Sequence, residues 1–214
     1  MKILDLTHVI HDEMPVFPGT EPPVIKNALT IEEHKNREKL ITMFSHTGTH
    51  MDAPAHMILD GNTLDQLPIE HFVGKAVVVD CRAVKDNEIT LELLMKYEKQ
   101  INQSEFVLFC TGWSERWGNK NYFEEFPALT LEAADWISKK GLKGVGLDAI
   151  SIDLMSSEDF EVHQVLFNEN MVVVENLNAL ERLLDQTFIF SCYPLKIIEA
   201  DGSPVRAVAI LENE

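Results

Sequence analysis

Nearly continuous runs of apolar residues alternate with helical patterns through the middle of the chain. Residues 75–81 and 105–110 are two such runs, and their length and uniform hydrophobicity are typical of strands buried on both faces of a sheet. Further strands of this kind are predicted at 144–148, 171–174 and 188–192. A parallel or mixed sheet is therefore expected.

Helices are predicted in the segments between these strands. Thr90 is placed to cap a helix that runs to Gln103, with an apolar stripe at helical spacing. Thr130 caps a second helix over Leu131–Lys140, and Gly141 follows as its stop. Two shorter helices are predicted at 158–168 and 178–184. The alternation of buried strands with helices indicates an α/β fold.

The two ends of the chain show the alternating pattern of antiparallel strands. The segments concerned are 2–10, 24–33, 39–45, 195–200 and 204–211. The second and third form a predicted hairpin, and Asp201-Gly202 between the last two is a strong hairpin signal. No internal repeat, low-complexity tract or linker is visible in the sequence, so we expect one α/β domain over 1–214, with a mixed sheet and flanking helices.

The overall charge narrows the classes of partner and of location. The 214 residues carry a formal net charge of −17, which disfavours binding to a nucleic-acid backbone or to an anionic membrane. Asp5 comes too early for the apolar region of a signal peptide, and no later run reaches transmembrane length. The cysteines lie in apolar runs and are expected to be buried thiols; they are Cys81, Cys110 and Cys192. We therefore expect a cytoplasmic protein.

Side chains that bind metals are concentrated in one short stretch. Four of them fall within eleven residues: His46, His50, Asp52 and His56. Their even numbering would place them on one side of an extended chain, because strand side chains alternate. In a straight strand His46 and His50 would stand about 13 Å apart, too far to share an ion. Gly48 lies between them and is the natural place for the chain to bend.

Imidazole nitrogens and a carboxylate form the ligand set that suits Zn²⁺ or Mn²⁺. The alternative is a set of polar residues on an exposed turn, and four ligand-type side chains on one face disfavour it. The spacing is not the H-E-x-x-H of helix-borne zinc proteases. His163 and Glu175 are the distant candidates to complete the site. Without the His46–His56 stretch, a core histidine would be the preferred interpretation of His163, and a solvated acid at a strand end that of Glu175.

The stretch His46-Thr-Gly-Thr-His50-Met-Asp52-Ala-Pro-Ala-His56 resembles the H-x-G-T-H-x-D-x-P-x-H signature of the metal-dependent cyclase family. That family includes bacterial kynurenine formamidases and isatin hydrolases, and the resemblance runs over nearly the whole chain. It implies a layered β/β/α, swivelling-type architecture, a small-molecule amide substrate, and a homodimer or homotetramer.

The resemblance also implies roles for single residues. The formamidases carry a downstream H-x₁₁-E pair, which His163 and Glu175 match in spacing. By that similarity His46 and His50 hold one ion and His163 holds the other, while two carboxylates serve both. The implied ligands of two Zn²⁺ or Mn²⁺ ions are His46, His50, Asp52, His163 and Glu175. His56 is then the acid/base that does not bind metal.

The implied activity is metal-dependent cleavage of an amide C–N bond, as in the conversion of N-formylkynurenine to kynurenine and formate in tryptophan catabolism. The alternatives are an isatin-type cyclic-amide hydrolase, a polyketide-type cyclase or lyase, and a closed structural metal-binding protein. His56 favours an enzyme, since a closed site has no use for a histidine that does not bind the metal.

A proline-rich loop at 14–23 is predicted to be ordered without regular structure. Phe17 in this loop is the predicted wall of the substrate pocket. The formamidases carry a tryptophan at the matching place, so Phe17 departs from their pattern. An aromatic side chain that only fills a surface loop is the alternative for Phe17, and the sequence does not separate the two.

Overall fold

A computed structural model describes residues 1–211, and a nine-stranded mixed sheet is its central element. Four further strands in this range form two small two-stranded sheets. The strands are, in chain order, β1 (Lys2–Asp5), β2 (Val24–Leu29), β3 (Glu38–Thr42), β4 (His50–Asp52), β5 (Val73–Asp80), β6 (Glu88–Ile89), β7 (Phe106–Cys110), β8 (Ala128–Leu129), β9 (Gly144–Leu147), β10 (Val172–Glu175), β11 (Phe188–Ser191), β12 (Gly202–Pro204) and β13 (Val208–Leu211).

The order across the large sheet is β1-β13-β11-β5-β7-β9-β10-β4-β12. The four central strands β5, β7, β9 and β10 are parallel, as their continuous apolar runs predict. Antiparallel strands flank them, with β11, β13 and β1 on one side and β4 and β12 on the other. The predicted mixed sheet is confirmed, and its β10–β4–β12 side carries most of the metal-ligand candidates.

The α-helices of the described residues lie between the strands, and two of them begin at caps that the sequence predicts. They are α1 (Ile31–His34), α2 (Leu91–Lys96), α3 (Glu98–Ile101), α4 (Leu131–Ser138) and α5 (Glu161–Asn168). Thr90 and Thr130 cap α2 and α4 by accepting backbone N–H hydrogen bonds of 3.4 and 3.3 Å. The helix predicted after Thr90 is divided at Tyr97 into α2 and α3. The helix predicted at 178–184 is a single 3₁₀ turn, Leu180–Leu183.

The sheet separates two apolar cores. Val107 and Phe109 of β7 join the core formed with α2, α4 and α5, whereas Phe106 and Leu108 point to the other face. That second core is closed by apolar residues of β1, β11 and β13, toward which the sheet curls. Both faces of the central strands are therefore covered. The predicted α/β fold with layered β/β/α architecture and flanking helices is confirmed.

Two strand predictions near the N-terminus are too long. β1 ends at Asp5, so residues 6–10 leave the sheet. β2 ends at Leu29, and the predicted remainder of that strand forms the helical turn α1. The predicted hairpin itself is confirmed, because β2 and β3 pair antiparallel.

The hairpin predicted at the C-terminal end is wrong. Residues 195–200 form no strand, and β12 pairs with β4, so that Gly202 lies opposite Asp52. β13 instead lies between β1 and β11. The Ala53 N–H donates a 2.8 Å hydrogen bond to the Asp201 carbonyl, which extends the same pairing. The backbone of β12 therefore forms its hydrogen bonds with the edge of β4 and not with a neighbouring hairpin strand, despite the local turn signal.

The three cysteines are free thiols in the interior, as predicted; they are Cys81, Cys110 and Cys192. Burial raises the pKa of Cys192 well above its usual value, which makes its thiol unreactive at neutral pH. Within residues 1–211, no helix combines the length and the apolar character that crossing a membrane requires.

Candidate metal centre

A bend in the chain brings two of the predicted ligands together. Gly48 has a φ of +69°, a left-handed conformation that the chain adopts readily only at glycine. The ring centroids of His46 and His50 consequently lie 5.2 Å apart instead of at straight-strand distance. His50 and Asp52 are residues of the buried strand β4, and His46 reaches the same place from the preceding loop. The predicted role of Gly48 is confirmed.

Asp52 lies between the two imidazoles. Its Oδ1 is 2.5 Å from Nδ1 of His46 and 3.2 Å from Nε2 of His50. One ligand atom from each residue lies within 4.8 Å of the other two, so the three can hold one ion. Burial would raise the pKa of Asp52, but the neighbouring imidazoles outweigh it and hold the pKa well below its usual value. The carboxylate is therefore anionic, as a metal ligand requires.

Sheet pairing places a second group of candidate ligands beside the first. Glu175 at the end of β10 lies opposite His50 in the register with β4. His163 of α5 presents Nε2 at 3.3 Å from Glu175 Oε1 and at 3.7 Å from Asp52 Oδ2. Asp52, His163 and Glu175 form a second potential ligand group with Asp52 in common. Both distant candidates are thus brought to the motif.

Glu175 is buried, with 5% of its surface exposed, which differs from the exposed sheet rim expected for a strand-end acid. The reason is that the segment after β9 covers it, and the Ile152 N–H donates to its Oε1 at 2.9 Å. His163 is 3% exposed and faces the interior, as its helical position predicts. Glu175 is therefore not a solvated acid, and His163 is not a core histidine packed only among apolar groups.

In both His50 and His163, one ring nitrogen faces the candidate ligands and the other has a hydrogen-bond partner. The Nδ1 of His50 is 2.8 Å from the Gly48 carbonyl, and the Nδ1 of His163 is 2.6 Å from Asp153 Oδ2. Such partners fix the orientation and tautomer of a metal-binding histidine. This arrangement leaves the Nε2 atoms of both residues directed at Asp52.

Asp153 is a site residue that the sequence analysis missed. Besides the imidazole of His163, its carboxylate accepts hydrogen bonds of 3.0 Å from the N–H groups of Val162 and His163. It therefore anchors the first turn of α5 and also orients the side chain of a candidate ligand. Nothing in the sequence next to Asp153 points to a contact with His163.

Asp201 is the second residue that the sequence analysis missed. Its Oδ2 is 2.9 Å from Nε2 of His46 and 3.5 Å from Nδ1 of His56. Burial alone would lower the pKa of His46, but Asp52 and Asp201 raise it to about 10. The sequence does not identify Asp201 as a site residue, because Asp-Gly is also a strong signal for a hairpin turn.

His56 belongs to neither of the two candidate ligand groups that share Asp52, but it lies beside them. It ends a 3₁₀ turn, Pro54–His56, and its ring centroid is 3.9 Å from that of His46. Burial lowers the pKa of His56, and this effect exceeds the opposing attraction of Asp52. A neutral imidazole that can accept a proton is the result.

Asp148, which lies just after β9, plays a structural part. Its carboxylate accepts hydrogen bonds from the Thr111 N–H at 2.8 Å and the Gly112 N–H at 2.9 Å. Burial raises its pKa to about 6 despite these hydrogen bonds. Asp148 therefore holds the backbone of the segment that follows β7.

The candidate ligands open into a cavity of about 380 Å³. Its apolar lining comes from Phe17, Phe44, Met57, Ile150 and Phe160. Phe17 is thus placed at the wall where the sequence analysis predicts it, and its role in substrate binding stays a prediction. The donor set itself fits divalent cations, because imidazole nitrogens and anionic carboxylates converge there from a buried strand pair and a helix.

Comparison with known proteins agrees with the motif. The family model named Cyclase matches residues 4–154. A kynurenine formamidase of Bacillus cytotoxicus is 31% identical over 207 residues, which are 96% of this chain and 95% of the relative. The solved isatin hydrolase A of Ralstonia solanacearum has a TM-score of 0.86 and 28% identity, covering 99% of this chain and 92% of its own.

A second solved structure, described as a potential metal-dependent hydrolase with cyclase activity, has a TM-score of 0.83 and 30% identity. The match covers 100% of this chain and 99% of that protein. The matched region therefore spans the whole chain and not the signature stretch alone. On the family model and on these relatives, the chain belongs to the cyclase family.

Proposed function

We propose that this chain is a metal-dependent hydrolase that cleaves the C–N bond of an aryl amide, with N-formyl aryl amines such as N-formylkynurenine as the first candidate substrates. The observation that carries the proposal is the pair of ligand groups that share Asp52 at the floor of an aromatic-lined cavity. Two Zn²⁺ or Mn²⁺ ions suit these groups, since the shared carboxylate offsets part of the repulsion between two cations.

The ligands would be divided between two ions. His46 and His50 would hold one, His163 would hold the other, and Asp52 and Glu175 would serve both. Divalent ions held in this way acidify a water molecule and polarise a carbonyl oxygen.

The chain's own contribution to proton transfer comes from His56. Its Nδ1 faces Asp201 at 3.5 Å, which leaves Nε2 as the nitrogen that can exchange a proton in the cavity. Because burial lowers its pKa, the imidazole is neutral at pH 7 and can accept the proton of the attacking water. The same proton is then returned to the leaving nitrogen, so that an arylamine departs as a neutral molecule.

The cavity wall favours an aromatic substrate. Phe17, Phe44 and Phe160 line a space whose volume of about 380 Å³ accommodates a bicyclic or substituted single ring. Stacking or edge contacts with such rings orient the aryl group, so that its amide lies over the metal-ligand groups. An open cavity of this kind is also the reason to set aside the closed structural metal site.

A cyclic aryl amide such as isatin is the second candidate substrate. Among the described residues that line the cavity there is no lysine or arginine to pair with the carboxylate of an amino-acid substituent. A neutral bicyclic amide needs no such partner. The polyketide-type cyclase or lyase has no comparable observation in its favour, and the expected homo-oligomer and cytoplasmic location stay predictions.

The deciding experiment compares the two substrate classes on one protein sample. Protein stripped with a chelator and reloaded with Zn²⁺ or Mn²⁺ is assayed for kynurenine release from N-formylkynurenine and for isatinate formation from isatin. Hydrolysis of either substrate only by the reloaded protein supports the proposal, and the ratio of the two kcat/KM values assigns the class. A reloaded protein that hydrolyses neither of these nor a simple N-formyl arylamine contradicts it.

A further inference from the structure

One oxygen of Asp201 contacts two histidines that have different predicted tasks. Oδ2 lies 2.9 Å from Nε2 of His46, a predicted ligand, and 3.5 Å from Nδ1 of His56, the predicted acid/base. The two rings lie side by side, with centroids 3.9 Å apart and planes inclined at 33°. The carboxylate therefore touches the edges of both rings at once.

The backbone around Asp201 fixes this position. The Asp201 carbonyl accepts a 2.8 Å hydrogen bond from the Ala53 N–H, and the next residue, Gly202, is paired with Asp52 across β12 and β4. Asp201 is thus attached to the strand that carries the ligands. Its side chain nevertheless is 45% exposed, so the carboxylate contributes little to the packed core.

The contact with His46 matches a recurring arrangement of metal-binding histidines. The Nδ1 of His46 faces Asp52, so the ring binds an ion through Nδ1 only if Nε2 carries the proton. A carboxylate that accepts this proton in a hydrogen bond selects that tautomer and increases the basicity of the ligand nitrogen. Asp201 is correctly placed for this, as Asp153 is for His163.

The contact with His56 has no counterpart at Asp153, whose other partners are backbone N–H groups. A carboxylate 3.5 Å from Nδ1 of His56 favours the tautomer in which Nδ1 carries the proton and Nε2 is free to accept one. The same carboxylate faces the Nδ1 edge of the His56 ring and so orients that ring in the cavity. The two contacts of Asp201 thus serve different steps.

We propose that Asp201 is a shared positioning residue, which holds His46 in the tautomer that binds metal and orients His56 for proton transfer. The proposal rests on the proposed hydrolase function for its second half only. Its first half concerns metal affinity, which is measured without any substrate.

The test uses Asp201→Asn, which keeps the size of the side chain and removes its charge. Asp185→Asn is the matched control, because it removes the same charge from an exposed aspartate that does not line the candidate metal centre. The dissociation constants of both ions are measured by competition with a chromophoric chelator. The spectrum of the Co²⁺-loaded protein reports on the ligand field, and kcat is measured at saturating metal.

We expect Asp201→Asn to weaken the binding of one ion by about 10- to 100-fold, to keep the number of bound ions and to shift the Co²⁺ spectrum. At saturating metal we expect a lower kcat with KM nearly unchanged. In a His56→Ala background Asp201→Asn should still weaken metal binding, but should lower the residual kcat no further. Asp185→Asn should match the wild-type protein in all three measurements.

Two results would overturn the proposal. Loss of one whole ion from Asp201→Asn would make Asp201 a ligand, together with His46 and His56, rather than a positioning residue. Metal affinity and kcat equal to those of Asp185→Asn would leave Asp201 without a role. If the wild-type protein hydrolyses no test substrate, the proposed function fails, while the affinity comparison still decides the role of Asp201 toward His46.

Discussion

Gly202 lies directly against the imidazole of His46. A Cβ atom at Gly202 would be 2.5 Å from Cε1 and 2.7 Å from Nε2 of that ring, closer than carbon and nitrogen atoms approach without displacement. The absence of a side chain at this position of β12 is therefore what allows the strand to pair with β4 while His46 packs over it. Gly202 is required by this close approach and not by a tight turn.

We expect Gly202→Ala to push the His46 ring away from Asp52, to weaken metal binding and to lower the free energy of unfolding by about 1–3 kcal/mol, as overpacking does. Urea unfolding of the metal-free protein and chelator competition measure the two effects. The double variant with His46→Ala is the control, since it removes the ring that the new methyl group would meet. Equal destabilisation by Gly202→Ala with and without the ring would show that the contact with His46 is not the cause.

The Asp201-Gly202 pair also shows where reasoning from local sequence reaches its limit. The dipeptide is a genuine turn signal, but the pairing of β12 with β4 joins segments about 150 residues apart in sequence, and no local pattern encodes it. The signature from His46 to His56 was easier to interpret, because its ligands lie within one stretch that bends at Gly48.

The distant residues of the site illustrate the same distinction. The spacing of a family pattern predicts His163 and Glu175, and the antiparallel pairing of β10 with β4 explains why Glu175 lies beside His50 and Asp52. Asp153 was missed because its partner is set by the direction in which α5 enters the core, which depends on packing. The sequence predicts the central strands, because short continuous apolar runs are typical of strands that are buried on both faces of a parallel sheet.

Asp153→Asn should damage both the fold and the metal centre. The amide of asparagine offers one acceptor oxygen where the carboxylate serves two N–H groups and the imidazole of His163, so one buried donor is left without a partner. We expect a loss of about 1–3 kcal/mol in the free energy of unfolding. Metal affinity should fall as well, because the His163 ring is no longer fixed.

Asp148→Asn is the matched control for that experiment. Asp148 is also buried and also accepts several hydrogen bonds, but its partners are Thr111 and Gly112 rather than a ligand. We expect it to lower stability while metal affinity stays at the wild-type level. If both variants lose metal equally, the effect of Asp153 belongs to general destabilisation and not to His163.

Stability should depend on pH through His8, which lies outside the metal centre. Its ring stacks on Trp117, with centroids 4.1 Å apart and planes 7° apart, and its buried Nε2 has no hydrogen-bond partner among residues 1–211. Burial lowers the pKa of His8 from 6.5 to about 4. Between these two pKa values the unfolded chain binds more protons at His8 than the folded chain does. The contribution of His8 to the free energy of unfolding is therefore fully present above pH 6.5 and is lost as the pH drops toward 4.

His8→Phe keeps the stacked ring but removes the titrating group. Urea unfolding, measured above the window and inside it, should show that the difference between the variant and the wild-type protein grows in favour of the variant as the pH falls. A difference that is constant with pH would mean that His8 does not contribute to acid lability.

Phe17 should act on substrate binding more than on turnover. It lines the cavity and packs against the core beneath it, so its removal withdraws one aromatic contact from the substrate without touching a ligand. We expect Phe17→Ala to raise KM by about three- to tenfold, the equivalent of one aromatic contact, with kcat largely kept. Phe17→Trp, which restores the aromatic type of the formamidases, should lower KM for N-formylkynurenine relative to isatin. Unchanged KM in both variants would assign Phe17 to the surface loop alone.

His56→Ala separates proton transfer from metal binding. His56 belongs to neither ligand group that contains Asp52, so the variant should keep wild-type metal content while kcat falls by about 10²- to 10⁴-fold, as the loss of a general acid/base does. The deletion leaves space beside His46, and added imidazole should enter it and restore part of the activity. His50→Ala is the comparison, because it should lose metal and should not respond to imidazole. Joint loss of metal and activity in His56→Ala would make His56 a ligand, and the acid/base would have to be sought elsewhere in the cavity.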